Sequence, residues 1–276
     1  MTFSELAPQL PGVFVGILFV DFLRYFITAA AVYLLVWKLF GKALAGRRIA
    51  SQAPKPGQMW REFWHSMVTV ALFAGSGLFI FTMFRLGLTQ VYSDVARYGW
   101  TWWWASFALI MLAHDTWFYW THRLLHRPWW FARFHATHHQ SVHPTPWAAY
   151  SFHPVEALIQ ALFYVIMVHA VPMHDGMLFA FLTVMIVRNV LGHSAYELMP
   201  WHISTRGPLR WLLTNSQHHY HHSAGRGNFG LYFTWWDRGM GTEDTAYLQN
   251  GDARFIAKSQ AATNAQNHPD AAKETA

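Results

Sequence analysis

Residues 64–84 run for 21 positions without an Asp, Glu, Lys or Arg. In a water-free bilayer core such a stretch is satisfied by a helix of about 20 residues, because a helix pairs its own backbone groups. Four more apolar segments share this character. Residues 12–40 are broken only by Asp21 and Arg24 before the basic end at Lys38, and these two sit three apart, placed to pair on a helix. Residues 98–121 open with Trp100, Trp102, Trp103 and Trp104, a pattern suited to a membrane interface. Residues 154–172 and 176–191 are parted by a Pro-Met-His-Asp-Gly turn, and the second is short for a full crossing. The expected fold is all-α, with polytopic membrane helices in a single domain over residues 1–249. A polar tail over 250–276, without periodicity, is expected to be disordered.

Composition narrows the function classes. Charged residues make up 12% of the chain, against about 25% in soluble domains. There is no Cys, which excludes disulfides, thiolate-bound zinc, Cys-ligated iron–sulfur clusters and a Cys nucleophile. A net charge of +6 does not point to nucleic acid, since no basic face of a soluble fold is visible. The basic residues instead gather beside apolar segments. Lys38, Lys42, Arg47, Arg48, Lys55 and Arg61 lie between the first two, against Arg85 and Arg97 after the second. The positive-inside bias puts the first connection in the cytosol. A single first helix then places the N-terminus outside; a hairpin at Asp21–Arg24 places it inside. The opening residues lack a basic n-region, so no cleavable signal peptide is expected.

Eighteen histidines are the second anomaly. Neutral imidazole is the commonest metal ligand, and its clustering near a membrane is costly without a purpose. His122 and His126 are i and i+4 in HRLLH. His135, His138 and His139 are i, i+3 and i+4 in HATHH, and His218, His221 and His222 repeat that spacing in HHYHH. Asn189 and His193 are again i and i+4. Each group is expected to aim its imidazoles at one point. Eight or more imidazoles exceed one coordination sphere, so two ions are implied. All-nitrogen donors suit iron, zinc or copper. Asp115, Glu156 and Glu197 are candidates to orient imidazole N–H groups. His65, His169, His174, His202 and His268 fit no box, and His143 and His219 are marginal.

The boxes HRLLH, HATHH and HHYHH in an apolar chain resemble the fatty acid hydroxylase/sterol desaturase superfamily of membrane di-iron oxygenases. TPWAAYSFHPVE at 145–156 and NFGLYFTWWDRGMGT at 228–242 are similar to segments of its sterol desaturase branch. The resemblance covers roughly residues 100–245 and implies a helical membrane base with a cytosolic, histidine-rich cap. It implies that His122, His126, His135, His138, His139, His193, His218, His221 and His222 hold two non-haem irons, with His153 as a tenth ligand. It makes Asp115 and Glu156 the acidic residues of the catalytic centre, with O2 as oxidant and zinc as a substitute metal in purified protein. The implied reaction is desaturation of a membrane lipid, sterol-like before fatty acyl, with C–H hydroxylation as the alternative. A membrane metal transporter is a distant alternative, since transporters carry their ligands on broken helices at mid-membrane. No Cys and no Gly-rich dinucleotide fingerprint are present, so electrons are expected from a separate b-type cytochrome, ferredoxin or flavin reductase. Trp117, Trp120, Trp147, Phe152 and Trp235 are expected along the lipid's approach.

Overall fold

The computed structural model describes residues 2–50, 52–200 and 208–246. The expected tail over 250–276, His202 and His268 lie outside the described residues. Among the described residues the helices of ten residues or more are α1 (Phe3–Leu39), α2 (Gln58–Arg85), α3 (Gly99–Leu125), α4 (Pro154–Ala170), α5 (Asp175–Gly192) and α6 (Asn215–Ala224). α1 is one helical path that tightens at Ala7–Gln9 and widens to a π-helix at Tyr33–Leu39. It has no break at Asp21–Arg24, and those two side chains form an ion pair across one turn. The hairpin alternative for residues 12–40 is therefore not adopted.

By length and composition α1, α2 and α5 can cross a membrane. α3 is long enough, but it carries the buried polar residues Ser106, His114, Asp115 and His122, and such residues lower its hydropathy. α4 is apolar but has only 17 residues. Trp60 and Trp64 are exposed near the start of α2, and Trp100 and Trp104 near the start of α3. These two sites lie at opposite ends of the bundle, where interfacial indoles belong.

One core runs through the bundle, with Tyr25, Val70, Ile110, Phe163, Phe181 and Ile186 fully or almost fully buried in it. The short 3-10 segment Pro146–Tyr150 is drawn into this core, because the Tyr25 hydroxyl and Ser66 Oγ both donate to the Trp147 carbonyl, at 2.8 and 3.0 Å. Those bonds answer a backbone oxygen that would otherwise be buried without a partner.

The two ends of the bundle differ. At one, Trp37 Nε1 donates to Ser194 O (2.7 Å), Ile49 N to Ala195 O and Glu197 N to Arg47 O. The basic connection after α1 is thus tied to the segment after α5. At the other end, β1 (Val91–Tyr92) and β2 (Met173–His174) form a two-residue parallel pair, and Trp102 Nε1 donates to Pro172 O. The histidine boxes lie at the first end, beside the basic connection.

Candidate metal centre

α3 delivers His122 from its last turn and His126 as its C-cap. After Pro128–Trp130 the chain makes a π-helical turn, Phe131–His135, and then the short helix Ala136–His139. The wider turn sets His135 into the same core as its successors; all of His135, His138 and His139 are buried. His193 is the C-cap of α5. α6 carries His218, His221 and His222, and opens on a capping box in which Thr214 Oγ1 accepts from Gln217 N.

Nine imidazoles converge in two groups. His122, His126, His135, His139 and His221 form the first; His138, His193, His218 and His222 form the second, with one ring nitrogen per residue inside 4.8 Å of the others in its group. The groups touch, with the His139 and His222 ring centroids 4.9 Å apart. This corrects the expectation that each box aims at one point. In HRLLH, HATHH and HHYHH the i and i+4 histidines share a group, while the i+3 histidine of each HxxHH box crosses to the other. Helix geometry explains the split: i+4 lies about 40° round from i, whereas i+3 falls on the other side of that line. The boxes are stitches between two sites.

The inward nitrogens have no hydrogen-bond partner outside the cluster among the described residues. In the first group they are Nε2 of His122, His126, His135, His139 and His221, all buried; in the second group Nε2 of His218 and His222 crowd His193 Nε2 at 3.1 and 3.2 Å, while Nδ1 of His138, His218 and His222 is buried without a partner. Orphaned buried imidazole nitrogens are costly, and five facing each other, beside three more crowded at about 3 Å, need an electrophile. The outward nitrogens are held by fixed acceptors. His122 Nδ1 meets Phe229 O (2.9 Å), His126 Nδ1 Gly225 O (3.2 Å), His221 Nδ1 Gly227 O (2.7 Å) and His193 Nδ1 Asn189 O (2.7 Å). His135 Nδ1 stands 2.9 Å from Glu156 Oε1. Each carbonyl sets the tautomer that leaves the inward lone pair free, whereas Glu156 approaches His135 Nδ1 without hydrogen-bond geometry. Burial, and after it the neighbouring imidazoles, holds His135, His138, His218, His221 and His222 well below the usual histidine range. Burial takes His139 and His193 to about 4. The cluster is neutral at physiological pH, the state a cation requires.

The other expected residues separate. His153 is not in either group; its Nδ1 accepts from Val155 N and caps α4. Glu156 meets His135, whereas Asp115 touches no imidazole of either group. Asp115 accepts from Tyr232 N, Phe233 N and Trp235 Nε1, and so fixes the segment that follows the last box. Glu197 accepts from Ser216 N near the start of α6, and Asn189 uses its amide on Ala149 O. His143 and His219 pair with each other at 3.1 Å, outside both groups. Of the expected approach aromatics, Phe152 packs on His138. Trp117 donates to Ile159 O, Trp235 serves Asp115, Trp120 packs on Trp236, and Trp147 packs among Tyr25, Tyr33 and Phe63.

Phe229 was not singled out by spacing, yet its ring lies against His122, His126 and His221. Asp237 holds Phe229 N and Gly230 N, both at 2.9 Å. Glu62, fully buried on α2, accepts from Gln58, Ser141 and Thr145 and ties the turn after HATHH to the bundle. The pattern Gly-Arg-Gly-Asn-Phe after HHYHH is the one sequence sign of that carbonyl-bearing loop.

Residues 107–242, which include all nine clustered histidines, match the family model for fatty acid hydroxylase. Together with the relatives below, this match supports the fatty acid hydroxylase superfamily for the chain. It is 34% identical over 157 residues to a Delta(7)-sterol 5(6)-desaturase of Gibberella zeae, covering 56% of this chain and 47% of that one. It is 31% identical over 178 residues to lathosterol oxidase of Mus musculus, covering 63% and 55%. It is 33% identical over 132 residues to methylsterol monooxygenase 1 of Rattus norvegicus, covering 47% and 43%. The chain therefore spans about half the length of these relatives, which put it on the sterol desaturase-like branch of the fatty acid hydroxylase family. No solved structure matches it.

Proposed function

We propose that this chain is a membrane-bound, non-haem di-iron oxidoreductase that uses O2 to introduce a double bond into a membrane lipid. The observation that carries this reading is the pair of adjoining all-imidazole groups with their converging ring nitrogens. Five and four neutral nitrogen donors suit two borderline-soft transition metals and offer nothing to magnesium or calcium. Zinc would occupy the same donors in protein purified without added iron. Two bound irons would supply O2-dependent removal of hydrogen from an unactivated carbon. The chain's own residues supply the rest. Phe229 carbonyl, Gly225 carbonyl, Gly227 carbonyl and Glu156 fix the ring orientations, and Phe152, Phe131 and Phe229 close the groups off from water.

A lipid substrate follows from apolar helices meeting the site and from relatives named for sterols. Hydroxylation is the second reading, favoured by the relative named as a methylsterol monooxygenase. Metal transport is disfavoured, because the donors come from helix ends and a cap rather than from a broken helix at mid-membrane. Electrons come from a separate donor, a b-type cytochrome, ferredoxin or flavin reductase. The basic connection tied to the cluster supports a cytosolic site and would give an acidic carrier its landing charge. The test is reconstitution with iron, O2 and a reducing partner, followed by mass spectrometry on a panel of sterols, acyl lipids and polar metabolites. Loss of two hydrogens from a sterol supports the proposal. Gain of one oxygen moves it to the second reading, and turnover of polar metabolites alone overturns both.

A further inference from the structure

α1, α2, α4 and α5 enclose a cavity of about 550 Å³ that none of the nine clustered histidines lines. Its size falls within the roughly 300–1,000 Å³ of small-molecule sites. Ile17, Phe73, Ile80 and Leu182 typify the apolar wall, and exposed Val20 and Phe179 border it on the bilayer side. Most polar groups on the wall are occupied elsewhere. Tyr164 OH meets His114 Nε2, Tyr150 OH meets Met185 Sδ, Ser76 Oγ serves Leu72 O, and Asp175 takes Ser93 Oγ at the far rim. The remaining pair is Asp21 and Arg24, 14% and 17% exposed, bound to each other inside a membrane-length helix. Such a pair is expensive to embed, and apolar residues would stabilise the helix as well or better.

We propose that this cavity binds a neutral lipid alcohol whose hydroxyl is held by Asp21 and Arg24. The pair offers carboxylate lone pairs and guanidinium N–H donors side by side. A hydroxyl satisfies both at once, donating to Asp21 and accepting from Arg24. A carboxylate or phosphate would meet repulsion from Asp21, with the charge of Arg24 already compensated. A pure hydrocarbon would satisfy neither group. This site shares with the proposed function the lipid class of the ligand, sterols included, but none of the histidine donors. Its test needs no turnover, so the two stand or fall separately.

The experiment is photolabelling of the full-length protein in vesicles with three diazirine probes: a sterol alcohol, its deoxy counterpart and a fatty acid. Labelled peptides are mapped by mass spectrometry in the wild type and in His138→Ala. The alcohol should label the cavity faces of α1 and α5 in both proteins, about tenfold above the deoxy probe, as a charge-assisted hydrogen bond provides. The Asp21→Leu/Arg24→Met double variant removes both charges together, so no unpaired charge is left buried, and it should label equally with alcohol and deoxy probes. A Cβ at Gly16 meets nothing within 4 Å, so Gly16→Phe should put a ring into the cavity and reduce labelling. In the wild type, equal labelling by alcohol and deoxy probes, preference for the fatty acid, or no label on the cavity faces would each overturn the proposal, whatever the variants do.

Discussion

His135 depends on a carboxylate where its neighbours depend on carbonyls, and this makes it the most testable single position. Glu156 Oε1 stands 2.9 Å from His135 Nδ1 within a buried setting. Removing a group that orients a ligand typically weakens metal affinity by roughly 10–100-fold. Glu156→Gln should therefore weaken iron binding by about that factor in chelator competition, while His169→Ala, on an exposed imidazole bonded to its own helix, should leave it unchanged. Unaltered affinity in Glu156→Gln would remove the carboxylate from the centre. At this scale the sequence was highly legible: eight of the nine clustered histidines stand in boxes whose spacing announces them, and only His193 stands outside a box. His153 was not, because an imidazole that caps a helix and one that ligates a metal look alike in a chain of letters. Asp115 likewise lies seven residues before His122, yet its carboxylate turns to the backbone of Tyr232 and Phe233.

The segment joining α6 to the short helix Trp235–Gly239 supplies carbonyls to three ligands, so its backbone is under strict control. Gly227 has φ +63°, and a Cβ there would come within 2.6 Å of Thr242 O. Gly227→Ala should cost about 1–2 kcal/mol of strain and tilt His221, whose Nδ1 meets that residue's carbonyl. The expected outcome is less iron per chain and a lower unfolding temperature in detergent. Asp115→Asn should differ. It weakens the contacts to Tyr232, Phe233 and Trp235, at about 1.5–3 kcal/mol for bonds to a charged acceptor, and lowers the unfolding temperature while the folded fraction keeps its metal ratio. Equal metal loss in both variants would refute the separate roles assigned to them. The elements themselves were readable from apolar length, but the two-site split was not. It arises from the angle between i+3 and i+4 positions once three box helices face one another, a tertiary fact.

The whole molecule has polarity: one end carries the basic connection and the histidines, the other carries the β1–β2 pair. The chain lacks Cys, so single cysteines report its sidedness cleanly. In intact cells a membrane-impermeant maleimide should label Asp94→Cys and should reach Lys42→Cys only after permeabilisation. The reverse pattern would contradict a cytosolic centre. The unbroken α1 puts its first residues at the end opposite the basic connection. The central claim is that two metal sites, of five and four imidazoles, share one buried cluster. The direct measurement is iron per chain after anaerobic loading, with Mössbauer spectra, in the wild type, His126→Ala and His222→Ala. The wild type should hold about two irons, and each variant should lose mainly the spectral component of its own group. One iron in the wild type, or the same component lost in both variants, would contradict the account.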